Sequence, residues 1–91
     1  MPSAGYRVVG RVQGVGFRWF VLQQARKLGI TRGRARNLDD GTVEVVAEGD
    51  RAQLDALESE LNRGPRSAYV ERVEKFDLPH DVELPKSFDV E

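Results

Sequence analysis

The segment Gln13-Gly14-Val15-Gly16-Phe17-Arg18 sets two glycines and a cation at a spacing that suits an oxyanion. Glycines let the main chain bend closely and turn its N–H groups toward one point. If a helix begins at Phe17, its first amides have no intrahelical acceptor, and they carry the positive end of the helix dipole. Arg18 then lies in the first turn, where its planar guanidinium can grip the same anion through two bonds. A cation there runs against the dipole's preference for acids in a first turn, and a local rule broken at such a spot points to a function. The chemistry this could do is local phosphate binding, although a glycine loop taken alone reads more readily as a turn beside a solvated arginine. The segment is not a Walker loop, because the lysine–serine/threonine ending is missing, and the glycine spacing is not that of a dinucleotide fingerprint.

Other residue types narrow the field. The 91-residue chain has no cysteine, so disulfides, thiolate nucleophiles and cysteine-held zinc are excluded. The one histidine, His80, sits between Pro79 and Asp81 and reads as a loop residue rather than a phosphohistidine. Asp39 and Asp40 precede Gly41, and a hairpin turn explains them more simply than a metal does. Asn37, taken alone, is a turn residue beside them. The formal net charge of −1 offers no general attraction to nucleic acid or an anionic membrane, so an anion site has to be local. No apolar run approaches a membrane span, and Met1-Pro2-Ser3-Ala4-Gly5 lacks the pattern of a secretory signal, which leads us to expect a cytoplasmic protein.

The elements that must hold these residues follow from periodicity. Tyr6–Gln13 is rich in β-branched residues and reads as a strand that Gly14-Val15-Gly16 breaks. Phe17, Phe20, Val21, Ala25 and Leu28 then share one helical face, and Gly29 stops the helix. Thr31–Asn37 and Thr42–Gly49 flank Leu38-Asp39-Asp40-Gly41, a strong hairpin signal. Asp50 with Gln53 forms a capping box for a second helix, lined by Leu54, Leu57 and Leu61 and ended by Gly64-Pro65. Ala68–Phe76 is a fourth strand, and Phe88-Asp89-Val90 a short fifth. Phe17, Phe20 and Phe76 read as core, whereas Trp19 and Tyr6 read as partly exposed edge residues. The order β-α-β-β-α-β predicts one α+β domain over residues 1–91. It would be a ferredoxin-like sandwich with a mainly antiparallel sheet and both helices on one face.

Val9-Gly10-Arg11-Val12-Gln13-Gly14-Val15-Gly16-Phe17-Arg18 closely resembles the first signature of the acylphosphatase family. Gly33-Arg34-Ala35-Arg36-Asn37-Leu38-Asp39-Asp40-Gly41-Thr42-Val43, with Gly49 beyond it, resembles the second. Gly64-Pro65 and Val70-Glu71-Arg72-Val73 are similar to a later segment, so the resemblance spans essentially the whole chain. One position departs: Arg34 stands where the family usually has an apolar residue, on the strand face opposite to Asn37.

The resemblance implies hydrolysis of acyl phosphates to a carboxylate and inorganic phosphate, with no metal, cofactor or phosphoenzyme. It implies that the amides of Gly14, Val15, Gly16, Phe17 and Arg18 bind the phosphate, that Arg18 adds its charge, and that Asn37 orients the attacking water. Inorganic phosphate or sulfate would compete for the loop, and the protein would act as a monomer. Elementary chemistry agrees, since a carboxylate leaves readily and phosphoryl transfer rests on positioning and charge stabilisation.

Two rivals remain. Arg7, Arg11, Arg32, Arg34 and Arg36 could form a basic stripe for RNA on the sheet face away from the helices, as in RNA-recognition motifs of the same β-α order. The third strand lacks the aromatics on which such modules stack bases, and Glu44 and Glu48 can neutralise the stripe, so no nucleic-acid partner is expected. The other rival is a non-catalytic module that binds phosphate or carbamoyl phosphate, like the acylphosphatase-like domain of larger maturation proteins.

Overall fold

The computed structural model describes residues 1–79 and 81–91, so the expectation for His80 lies outside the described residues. The order is β1 (Ser3–Arg11), α1 (Phe17–Lys27), β2 (Arg32–Asn37), β3 (Val43–Glu48), α2 (Arg51–Arg63), β4 (Tyr69–Phe76) and β5 (Asp89–Val90). The five strands form one sheet in the order β4-β1-β3-β2-β5. Its pairs are antiparallel except β2 with β5, which run parallel. This is the ferredoxin-like α+β fold that the element order predicts.

Local signals account for the element ends. Gly16, at φ 78°, precedes α1, and Phe20 N donates to Gly16 O at 3.1 Å as that helix begins. The capping box forms as expected: Asp50 accepts from Gln53 N at 2.7 Å, while Asp50 N donates to Gln53 Oε1 at 2.9 Å. Gly41, at φ 91°, turns the β2–β3 hairpin, which Leu38 N closes on Thr42 O at 2.9 Å.

The core lies between the helices and one sheet face. Tyr6, Val8, Ala35, Val43, Val45 and Ala47 from the strands meet Phe17, Val21, Ala25, Leu54, Leu57 and Leu61 from the helices, and all are buried. The alternation continues on the other face, where Arg7, Arg34, Arg36 and Glu44 lie between the core positions. Among the described residues no helix is long and apolar enough to cross a membrane.

Four details correct the expectations from sequence. β1 begins at Ser3, not Tyr6, because Ser3, Ala4 and Gly5 pair with Glu48, Ala47 and Val46. Such small residues carry little periodicity for a sequence reading to detect. β1 also ends at Arg11 rather than Gln13, after a register shift between Val9 and Gly10. Tyr6 is fully buried rather than an edge residue, and its hydroxyl donates to Leu54 O at 3.1 Å. Burial pushes the Tyr6 phenol up to about 12. Phe76 is only half-buried and leaves the main core; its ring lies over Gly5 on the helix-free face, where a side chain on Gly5 would collide with it. Trp19, by contrast, is exposed as expected.

Candidate active site

The loop after β1 and the start of α1 form a donor-rich cradle. Gly14 and Gly16 adopt φ values of 74° and 78°, in the left-handed region that glycine favours. Neither has any atom within 4 Å of the position a Cβ would take, so conformation rather than crowding requires glycine there. Gly16 has no side chain with which to cap the helix, and the first turn, Phe17-Arg18-Trp19, holds no acid. The amides of Phe17, Arg18 and Trp19 therefore precede the first intrahelical bond and remain available for an anion.

Arg18, half-buried, does not point freely into solvent. Its Nη1 donates to the main-chain oxygen of Glu91, whose own N–H donates to Ala35 O at 2.9 Å. An incoming anion that takes Arg18 has to compete with that oxygen. The same contact carries the guanidinium toward β2, two residues from Asn37.

Asn37 closes β2 opposite Val43 and is exposed. It shares a strand face with Ala35, a core residue, so its side chain emerges on the helix side of the sheet. β1 and β2 run in the same direction on either side of β3, so their C-terminal ends lie at one edge, separated by roughly 10 Å. The glycine loop and Asn37 therefore stand at the same edge of the sheet.

Two further side chains brace this edge, and neither carries a role in the reading of the sequence. Gln13 donates from Nε2 to Leu38 O at 2.7 Å and to Thr42 O at 2.9 Å. Ser67, between α2 and β4, donates to Val15 O at 2.7 Å. Gln13 belongs to the first motif, which was a signal for it. Ser67 has none, because its partner is 52 positions away.

On the helix-free face Arg7, Arg34 and Arg36 are paired with carboxylates. Arg7 contacts Asp40 at 2.6 Å and Glu74 at 2.7 Å, and Arg36 contacts Glu44 at 2.8 Å. Arg34 lies 3.7 Å from Glu44 on this face, opposite to Asn37 as its spacing implies. Asp40 also accepts from Thr42 Oγ1 at 2.6 Å and Thr42 N at 3.0 Å. The Thr42 hydroxyl and then the Arg7 guanidinium hold the Asp40 carboxyl well below the usual carboxylate range. Among the described residues no group of three histidines, cysteines or acids is arranged to hold a metal. A cavity of about 460 Å³, lined by Leu22, Arg26, Ile30, Lys86 and Phe88, opens at the C-terminal end of α1 and contains none of the candidate residues.

A sequence profile described as Acylphosphatase matches residues 4–90. The chain belongs to the acylphosphatase family. It is 52% identical over 81 residues to an acylphosphatase of Thermococcus kodakarensis, a match covering 88% of each chain. It superposes on the crystal structure of acylphosphatase from Bacillus subtilis with a TM-score of 0.88 at 33% identity, covering 99% of this chain and 98% of the other. It also superposes on HypF of T. kodakarensis with a TM-score of 0.83 at 33% identity, there covering 100% of this chain but 12% of the longer one.

Proposed function

We propose that this protein hydrolyses acyl phosphates to a carboxylate and inorganic phosphate by direct attack of water. The observation that carries the reading is the uncapped start of α1, with its glycine loop and Arg18, one strand away from Asn37. The name of the T. kodakarensis relative supports the same substrate class. In this reading the amides of Gly14, Val15, Gly16, Phe17 and Arg18 hold the phosphoryl oxygens, and Arg18 neutralises their charge. The Asn37 carboxamide orients a water in line with the acyl oxygen.

The water oxygen forms a bond to phosphorus while the phosphorus–acyl oxygen bond breaks, and its electron pair leaves on the carboxylate. The water's proton passes to a phosphate oxygen or to solvent. A carboxylate needs no protonation to depart, so the site requires no strong general acid. Preorganised amides and a guanidinium suit the charge spread over the phosphoryl oxygens in a loose transition state. The positive charge comes from the chain itself, and the reading calls on no metal or cofactor.

The same reading treats residues 1–91 as one domain that acts as a monomer in the cytoplasm, without a nucleic-acid partner. Pairing of Arg7, Arg34 and Arg36 with carboxylates supports that last point. The likeness to a small part of HypF favours a second reading, a phosphate- or carbamoyl phosphate-binding module without turnover. One assay separates them: hydrolysis of benzoyl phosphate beside an alkyl phosphomonoester, with a chelator present. Rapid, chelator-resistant cleavage of benzoyl phosphate alone supports the enzyme. Phosphate binding without turnover supports the module. Equal rates on both substrates, or collapse with chelator, point to a different enzyme.

A further inference from the structure

The sheet by itself does not hold the phosphate loop against Asn37. β1 and β2 are not neighbours, and β1 pairs with β3 only as far as Val8 opposite Val43. Beyond that point Val9, Gly10 and Arg11 pair with β4 alone, on the side away from Asn37. The β2–β3 hairpin likewise runs past the last β1–β3 pair. The loop and the hairpin thus project from one edge with no ladder between them.

Gln13 spans that gap. It stands immediately before Gly14, and its part-buried carboxamide gives one N–H to Leu38 O at 2.7 Å and the other to Thr42 O at 2.9 Å. Those carbonyls bracket the turn: Leu38 directly follows Asn37, and Thr42 O already accepts from Leu38 N. Both donors of one side chain therefore grip both arms of the hairpin at its root. A carboxamide suits this task because its two N–H groups diverge from one planar nitrogen, whereas a carboxylate has only acceptors to set against the two carbonyls.

We infer that Gln13 is a positioning residue that sets the Asn37 carboxamide against the bound phosphate. It touches neither substrate nor water and acts through the hairpin. The inference rests on the proposed role of Asn37 in orienting water. Misplacement of a reacting group by an ångström can cost about a hundredfold in rate, so the loss should fall on turnover rather than on phosphate binding.

The test is a kinetic double-mutant cycle with benzoyl phosphate, using inorganic phosphate as the competitive probe. Gln13→Leu keeps the volume and removes both donors; Gln13→Met, unbranched and more adaptable, serves if the leucine variant does not fold by circular dichroism. The expected result is a fall in kcat of about ten- to a hundredfold, with the phosphate inhibition constant within about twofold of wild type. Combining Gln13→Leu with Asn37→Ala should give no further loss beyond Asn37→Ala alone, because a misplaced side chain cannot be removed twice. Unchanged kcat in folded Gln13 variants overturns the inference, as do losses that multiply in the double variant or a phosphate constant that rises in step with the fall in kcat. Wild-type turnover in Asn37→Ala overturns the reading of Asn37 and the inference with it. A slow Asn37→Ala beside normal Gln13 variants overturns the inference alone.

Discussion

The Ser67 hydroxyl donates to the carbonyl of Val15 at 2.7 Å, tying the segment after α2 to the middle of the glycine loop before α1. A carbonyl held in this way restrains the conformation of the loop around it. Ser67→Ala removes the tie while leaving every proposed phosphate donor in place. One such hydrogen bond contributes about 1 kcal/mol, which corresponds to roughly a fivefold change in affinity. Competitive inhibition by phosphate in the benzoyl phosphate assay should weaken by about that factor. An unchanged inhibition constant would show that the loop holds its shape without Ser67.

Arg18 is expected to be the most sensitive side chain for catalysis. Arg18→Ala and Arg18→Lys should each lose at least about a hundredfold in kcat/KM, on the scale of losing a transition-state donor. Lysine retains the charge but not the planar fork, so it should not rescue. Circular dichroism and denaturant midpoints should stay close to wild type, because Arg18 sits at the start of α1 outside the core cluster. Near-normal turnover by folded Arg18→Ala removes the central claim.

Asn37 should fail in a different way. Asn37→Ala should depress kcat severely and leave phosphate inhibition nearly unchanged, since water orientation matters in the transition state and little in ground-state binding. Asn37→Asp is nearly isosteric but sets a negative charge beside an anion, so KM should rise above that of the alanine variant. Steady-state kinetics on the three proteins decide the matter, and comparable values would reduce Asn37 to a turn residue.

The Arg7–Asp40–Glu74 cluster predicts where acid weakens the fold. Hydrogen bonds from Thr42 and Arg7 lower the Asp40 carboxyl from its ordinary value of 3.8, and those from Arg72 and Arg7 lower Glu74 from 4.5. A depressed folded-state value means that the unfolded chain binds protons first as the pH falls. The contribution is therefore present at neutral pH, declines once the pH drops through 4.5 and 3.8, and is lost when the folded carboxyls finally protonate. Denaturant unfolding measured from pH 6 to pH 3 should show a shallower decline in Arg7→Gln than in wild type. Parallel profiles would mean that the cluster is a solvated surface pair with no influence on stability.

Much of the local structure was legible from the chain alone. The capping box of Asp50 and Gln53, the break at Gly14-Val15-Gly16 and the turn at Gly41 each depend on residues a few positions apart. So does the opposition of Arg34 and Asn37 across a strand. Their physical causes are complete within a short stretch, and the motifs around Arg18 and Asn37 are contiguous in the same way. The burial of Tyr6, the seat of Phe76 over Gly5 and the grips of Gln13 and Ser67 were decided only in three dimensions. Tyr6 finds Leu54 O 48 positions away, and Gln13 finds Leu38 O 25 positions away. A sequence specifies that a strand has two faces and that a carboxamide has two donors. Which face is covered, and which carbonyls stand within reach, depends on the strand order β4-β1-β3-β2-β5, which brings the ends of β1 and β2 to one edge.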